Sequence, residues 1–393
     1  MTPSFDETIE RRGTLCRKWD DLQPFYGVTD PAALGMWVAD MDFRAPPCVR
    51  AALETTVAHG IYGYPGNNAP YLAAIRWWMA NRHGWQITDA DIMTVNGLVN
   101  GTAMAIEALT QPGDGIILMT PVYHNFARVI RAAGREVVGL PMALRDGRYE
   151  LDWPAWEGML TGRERMFILC SPHNPGGRVW SKAELRQIAD FCRSHDLILV
   201  SDEIHHDLVL PGGPAHHVTA TVAPDIADRL VTMTAATKTF NIAGAHLGNV
   251  IVTDPALRAR YQARVQALGI SPGLFGLPMV TAAYSPEGAA WVDQLTAYID
   301  GNARLFNAAM NAIPGVQAMD LEATYLAWVD FGALGMTSDK LHQRIEGSAL
   351  IAANHGETFG PGGENRMRFN LAMPRAQVAE AAERLQRAFA DIQ

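Results

Sequence analysis

Beyond residue 90 the chain alternates short apolar runs with stretches of helical spacing. Residues 91–95 form one such run, Asn96-Gly97 breaks it, and residues 98–110 follow with apolar positions spaced for a helix. Residues 115–119, 136–140, 166–170, 197–200, 230–233 and 249–252 read as further strands, most of them closed by turn residues. Helical spacing at 128–133, stopped by Gly134, lies between the strands at 115–119 and 136–140. Ser181-Lys182-Ala183-Glu184 is a capping box, in which serine and glutamate each satisfy a free backbone N–H, so a helix is predicted to about Ser194. Strands alternating with helices predict an α/β fold, a mostly parallel sheet sandwiched by helices. From about Pro286 the pattern turns more helical, with strands at 324–331 and 366–371, predicting a smaller α+β domain. The expected division is a large domain at 48–285 and a small one made of 1–47 with 286–393. There is no linker, low-complexity segment or repeat.

Composition narrows the function classes. Of 393 residues, 48% are apolar and 19% charged, an ordinary globular balance. The net charge of −9 lacks the basic footprint that nucleic acid requires. No apolar run is long enough for a membrane span, and the charged first twenty residues lack a signal-peptide core. Cys16, Cys48, Cys170 and Cys192 are scattered without a C-x-x-C pair, which fits free thiols in a reducing cytoplasm.

The chemically unusual residues fall just after predicted strand ends: Asn96-Gly97, Tyr123, Asn174-Pro175-Gly176-Gly177, Asp202 and Lys238. In open α/β sheets ligands bind outside the carboxyl ends of the strands, so these loops would converge on one crevice. Taken singly each has a plainer reading: Gly97 as a turn, the Asn-Pro-Gly-Gly run as turn chemistry, Asp202 as a helix cap. A lysine drawn into such a crevice loses proton affinity and becomes a Schiff-base nucleophile.

These residues lie in motifs that run in order along nearly the whole chain. They are Met36-Trp37-Val38-Ala39-Asp40-Met41-Asp42-Phe43, Tyr62-Gly63-Tyr64-Pro65, Pro112-Gly113-Asp114 and Thr120-Pro121-Val122-Tyr123. Ser171-Pro172-His173-Asn174-Pro175-Gly176-Gly177, Ser201-Asp202-Glu203-Ile204-His205, Thr237-Lys238-Thr239-Phe240-Asn241 and Arg368-Phe369-Asn370-Leu371-Ala372 complete them. The set resembles the fold-type I pyridoxal-phosphate enzymes of the aminotransferase class I/II superfamily, nearest the MalY/PatB-type cystathionine β-lyase branch. The resemblance implies that Lys238 holds the cofactor covalently and, once freed, removes the Cα proton. It implies that Asp202 pairs with the pyridine nitrogen, Asn174 with the ring hydroxyl, and that Tyr123 stacks on the ring. The phosphate would lie on the backbone N–H groups near Gly97, Leu98 and Val99, with Tyr64 reaching it from the other subunit of a homodimer. Arg368 would clamp the substrate carboxylate, with the backbone at Ala39 and Asp40 closing over it and Asn174 beside it.

The pattern departs from the superfamily at the phosphate. His246 stands where an arginine is usual, Ala235 replaces a serine, and His205 replaces a tyrosine, as it also does in the lyase branch. Thr237, or Thr239, is the expected substitute donor. Other readings lose. In Gly269-Ile270-Ser271-Pro272-Gly273 the residue after the serine has no N–H for an oxyanion, and the segment before it reads as helix. His205-His206 and His216-His217 lack the spacing of a metal motif, so no metal is expected. Dinucleotide and P-loop motifs are absent. Lys238, Asp202, Asn174 and Arg368 together argue against a non-catalytic binding module. The expectation is a cytoplasmic, homodimeric C–S β-lyase acting on a sulfur-containing amino acid, with an aminotransferase as the alternative.

Overall fold

The computed structural model describes residues 4–392. The outermost residues of the predicted small domain, 1–3 and 393, lie outside it.

Seven strands form the main sheet: β1 (Ile92–Val95), β2 (Gly115–Thr120), β3 (Glu136–Pro141), β4 (Glu164–Cys170), β5 (Ile198–Asp202), β6 (Leu230–Thr234) and β7 (Gly248–Ile251). Their order across the sheet is β1-β7-β6-β5-β4-β2-β3. Neighbours from β6 to β3 pair in parallel, while β7 runs antiparallel to both β6 and β1. Every residue of β2 and β6 is buried, as strands covered on both faces by helices must be. This bears out the expected mostly parallel sheet, with one reversed strand the pattern does not disclose.

Helix α3 (Leu98–Leu109) follows β1, α4 (His124–Ala132) follows β2, and α5 (Lys182–Ser194) follows β4. The capping box forms: the Ser181 hydroxyl accepts from the Glu184 N–H at 3.2 Å, and Glu184 accepts from the Ser181 N–H at 2.8 Å. Helix α4 begins one turn before the predicted residue 128. Its polar first turn hides the buried pair Phe126 and Ile130, which sit four apart on one face. Two earlier helices, α1 (Pro47–His59) and α2 (Ala69–His83), have no counterpart in the apolar pattern.

The second sheet is antiparallel, ordered Gln317–Ala318, Leu326–Asp330, Arg366–Asn370, Asn354–His355. Its second strand starts two residues late because Thr324 sits at φ +72°, where the chain leaves extended geometry. The long helix Pro286–Asn311 and the helix Arg375–Ala388 belong to this part. Leu34–Gly35 pairs in parallel with Ile351–Ala352, and the Asn370 N–H donates to the Met36 carbonyl at 2.8 Å. The segment 36–43 is thereby drawn across the carboxyl ends of the main sheet.

Candidate active site

Five strand ends open on one cavity of about 680 Å³. β1 delivers Asn96 and Gly97, β2 Tyr123, β4 Asn174, β5 Asp202 and His205, and β6 Thr237 and Lys238. The small sheet adds Arg368 and Asn354, and the N-terminal segment adds Trp37, Val38 and Ala39. Residues distant in sequence meet here because parallel strands carry all their carboxyl ends to one edge.

Lys238 is half-buried at the cavity, and its Nζ donates to the Ala39 carbonyl at 2.6 Å. The Tyr325 hydroxyl donates to the same oxygen at 2.9 Å. Burial draws the Lys238 amine down to about 8. Asp202 is buried, and among the described residues its side chain accepts only the Ile204 N–H, at 3.1 Å. Burial raises its carboxyl to about 7, although that hydrogen bond favours the anion. Arg368 donates to Asn174 Oδ1 at 2.9 Å, to the Trp37 carbonyl at 3.0 Å and to Asn354 Oδ1. It packs on Phe359, and burial lowers it to about 10. Its Nε is buried without a partner among the described residues. His205 is buried with Nδ1 unpartnered, and desolvation beside Lys238 brings it down to about 3, so the ring is neutral.

At the other end of the cavity α3 starts at Gly97, whose φ of +87° belongs to glycine. No side chain among the described residues caps this helix, so its first N–H groups are open to an anion.

The segment 36–43 is held by several elements. Asn241, three residues after Lys238, accepts the Met41 N–H at 2.8 Å and donates to the Met41 and Phe43 carbonyls at 2.9 and 2.8 Å. Asn370 donates to the Val38 carbonyl at 2.7 Å and to that of Asp40 at 2.5 Å. The fully buried Lys18 pairs with Asp42 at 2.7 Å, and Trp19 Nε1 donates to Asp42 at 2.9 Å. These partners give Asn241, Asn370 and the two acidic residues of the motif a task that sequence alone does not assign.

Most expected site residues therefore meet: Gly97, Leu98, Val99, Tyr123, Asn174, Asp202, His205, Thr237, Lys238, Arg368 and Ala39 line one cavity, and His246 joins them. Asp40 does not line it. Its side chain pairs with Arg11 at 2.8 Å, and its carbonyl is taken by Asn370. Thr239 faces away and donates to Asp207 at 2.8 Å, which leaves Thr237 as the threonine at the cavity. Tyr64 is fully exposed and borders a separate cavity with Leu274 and Leu277. Tyr62 packs on Phe275, away from the site. The helix Pro255–Ala267 precedes Ser271, so no strand presents that serine as a nucleophile. Arg17, His124, Asn125 and Arg128 also line the site. Position one turn beyond Tyr123 could have pointed to the last three; nothing in the sequence marks Arg17.

The model of the family described as aminotransferase class I and II matches residues 35–385. The chain belongs to this family. Within it, the chain is 39% identical to cystathionine beta-lyase PatB of Bacillus subtilis over 389 residues, 98% of this chain and 99% of that one. It is 30% identical to protein MalY of Escherichia coli over 379 residues, 95% of each chain. Cystalysin from Treponema denticola, whose crystal structure contains a pyridoxal 5'-phosphate cofactor, superposes with a TM-score of 0.95 at 34% identity, over all of both chains. The resemblance to the aminotransferase class I/II superfamily and its MalY/PatB branch is borne out.

The cavity suits the cofactor of this family on its own chemistry. Asp202 is a buried carboxylate without a cation, and a protonated ring nitrogen would supply one. The uncapped start of α3 suits a phosphate. Lys238 is a desolvated amine with its proton affinity already lowered.

Proposed function

We propose that this protein is a pyridoxal-phosphate-dependent C–S β-lyase that converts a sulfur-containing L-amino acid to a thiol, pyruvate and ammonia. The observation that carries the reading is the gathering of Lys238, Asp202, Asn174 and Arg368 in one cavity under Ala39. The names cystathionine beta-lyase for PatB and cystalysin for the structural relative support it. So does the sequence motif from Met36 to Phe43, which closes over the site.

Bound pyridoxal phosphate would supply an electron sink for the pair left at Cα when its proton is removed. Lys238 and Asn174 would hold it, Asp202 would keep its ring nitrogen protonated, and Tyr123 would cover its face. The α3 N-terminus near Gly97, Leu98 and Val99, with Thr237, would take its phosphate. Arg368 binds the substrate carboxylate through its planar fork, already oriented by Asn174 and Asn354. Lys238 Nζ removes the Cα proton; its lowered proton affinity keeps a usable fraction of free amine near neutral pH. Its contact with the Ala39 carbonyl fixes where that nitrogen lies before it acts. The Cβ–S bond then breaks, its electron pair leaves with sulfur, and the thiolate takes a proton. The three-carbon remainder hydrolyses to pyruvate and ammonia.

The same reading divides the chain into a large cofactor domain at 48–285 and a small domain of 1–47 with 286–393. It makes the protein a homodimer in which Tyr64 serves the partner's phosphate site. Ile61, Tyr62, Tyr64 and Phe275 form an exposed apolar group, a surface that a second copy would cover. Four free cysteines fit the cytoplasm.

The test is to incubate the holoprotein with L-cystathionine and S-alkyl cysteines, without a keto acid, and to follow pyruvate and cofactor absorbance together. Pyruvate accumulating beyond one equivalent per site establishes the lyase. A single turnover that resumes only on adding a keto acid establishes an aminotransferase instead.

A further inference from the structure

Behind Asp202, outside the substrate cavity, the fold buries five groups with metal-ligating chemistry. Glu203 and Asp207 follow β5, His206 lies between them, His216 comes from the loop beyond, and His83 from the end of α2. The side chains of Glu203, His206 and Asp207 are fully buried, and His216 and His83 are only 3% and 6% exposed. His206 and His216 are two of the histidines whose spacing in the sequence fits no metal motif, and the fold brings them together with Glu203. His83 is brought from more than a hundred residues away, which spacing cannot show.

The hydrogen bonds leave this cluster incomplete. Glu203 Oε1 accepts from Ser201 and the Thr219 N–H, and Oε2 faces His216 Nε2 at 3.0 Å. Asp207 is saturated by Trp78, His83 and Thr239 at 2.8–2.9 Å. His206 stacks on His83 with ring centroids 4.1 Å apart, and its Nε2 approaches Asp207 at 3.1 Å without hydrogen-bond alignment. Among the described residues its Nδ1 has no partner, nor has Nδ1 of His216. Buried polar atoms left unpaired keep the cost of losing water without a bond in return, so they need a reason.

We propose that Glu203, His206 and His216 form a binding site for a divalent transition metal of zinc type. One ligand atom from each lies within 4.8 Å of the others. Zinc bonds of about 2.0–2.1 Å in tetrahedral geometry set ligand atoms roughly 3.4 Å apart, so side-chain movements of ~1 Å close the site. The His206 and His216 rings cross at 69°, which lets both planes converge on one ion. The His83 ring is nearly parallel to His206, at 16°, so it cannot converge with His206 and remains on Asp207. Asp207 lies 3.1 Å from His206 Nε2, and a small turn of the ring on binding the ion would align that contact as the carboxylate–imidazole hydrogen bond that ligating histidines commonly make. Two imidazoles and one carboxylate suit zinc and leave a fourth position for water. The ion would offset the charge of Glu203 and give His206 the partner it lacks. The site is structural: Glu203 adjoins Asp202, and Asp207 holds Thr239, the neighbour of Lys238.

The test uses the purified holoprotein, stripped with a chelator and titrated with zinc chloride. Metal per chain, Tm and cofactor absorbance are followed together. One zinc per chain, with a Tm that rises and saturates at that ratio, is the expected result. His206→Ser and His216→Gln should each abolish the stoichiometric zinc while retaining cofactor absorbance. Should either variant fail to fold, cobalt(II) in the unaltered protein decides: intense visible ligand-field bands mark a tetrahedral nitrogen–oxygen site. Less than a tenth of a zinc per chain, or only weak octahedral cobalt bands, overturns the proposal. Zinc retained by both folded variants also overturns it and places the metal elsewhere, such as the half-exposed group of His342, His355 and Glu357.

Discussion

Lys238 and Asp202 share a cavity and are displaced toward each other, the amine down to about 8 and the carboxyl up to about 7, both chiefly by burial. Neither charge is fully matched within this chain, and that mismatch has a measurable sign. With its affinity raised by folding, Asp202 binds its proton more tightly in the folded state than in the unfolded one. Its contribution to stability therefore falls as pH rises from the ordinary carboxylate range to about 7, and stays low above that. Without cofactor, Asp202→Asn should gain Tm relative to the unaltered protein as pH climbs through that window. With cofactor bound the gain should vanish, because the ring nitrogen gives the carboxylate its cation. Parallel Tm profiles in the two cofactor-free proteins would reject the argument. Arg368 presents a second case. Replacing it by lysine removes the planar fork but keeps a charge, and a charge-assisted hydrogen bond is worth about 1.5–3 kcal/mol. KM for the amino acid should rise roughly 10- to 100-fold in steady-state kinetics, with cofactor absorbance unchanged. Lys238, Asp202, Asn174 and Arg368 were legible in the sequence because each sits in a motif at a strand end or in the small sheet. Arg17 and Asn354 were not, since they reach the cavity from segments without a pattern of their own. The side chains of Asp40 and Thr239 turn away from the cavity because neighbours along one segment or turn face opposite ways.

At the scale of elements, local rules gave the strands and the capped helix, and tertiary packing concealed others. The buried stripe of α2, with Tyr71, Ala74, Ile75, Trp78 and Met79, is regular. Leu72, Ala73, Trp77 and Ala80 occupy intervening positions and blur it in the sequence. Two element ends carry opposite predictions. Ser181 caps α5 far from the chemistry, so Ser181→Ala should lower stability by about 1 kcal/mol and leave kcat and KM unchanged. Gly97 starts α3 at φ +87° and ψ 156°, with no atom within 4 Å of an added Cβ. The cost of Gly97→Ala is thus backbone strain of roughly 1–3 kcal/mol rather than a clash. Relief of that strain would turn away the N–H groups that await the phosphate. Thermal unfolding should show a loss of stability in both variants, and only Gly97→Ala should also shed cofactor faster on dilution.

At the scale of the whole molecule, the proposed homodimer turns on the exposed Tyr64. Tyr64 is on the same chain as Lys238 but faces away from that cavity, beside the exposed Ile61 and Tyr62. If it completes the phosphate site of a second copy, each site takes Lys238 from one subunit and Tyr64 from the other. The prediction is then one of counting. Lys238→Ala removes the base, and Tyr64→Ala removes the partner's contribution, so each homodimer is impaired at both sites. Unfolding and refolding equal amounts together gives random pairing, with half the dimers mixed. In a mixed dimer one site carries both substitutions and the other neither. About a quarter of all sites should therefore recover full activity, as twofold symmetry requires. Pyruvate release by the mixture should exceed the mean of the two separately refolded variants by that quarter, reduced in proportion to the activity that Tyr64→Ala retains. An active site confined to one chain predicts the mean itself, because each chain would keep its own defect whatever its partner.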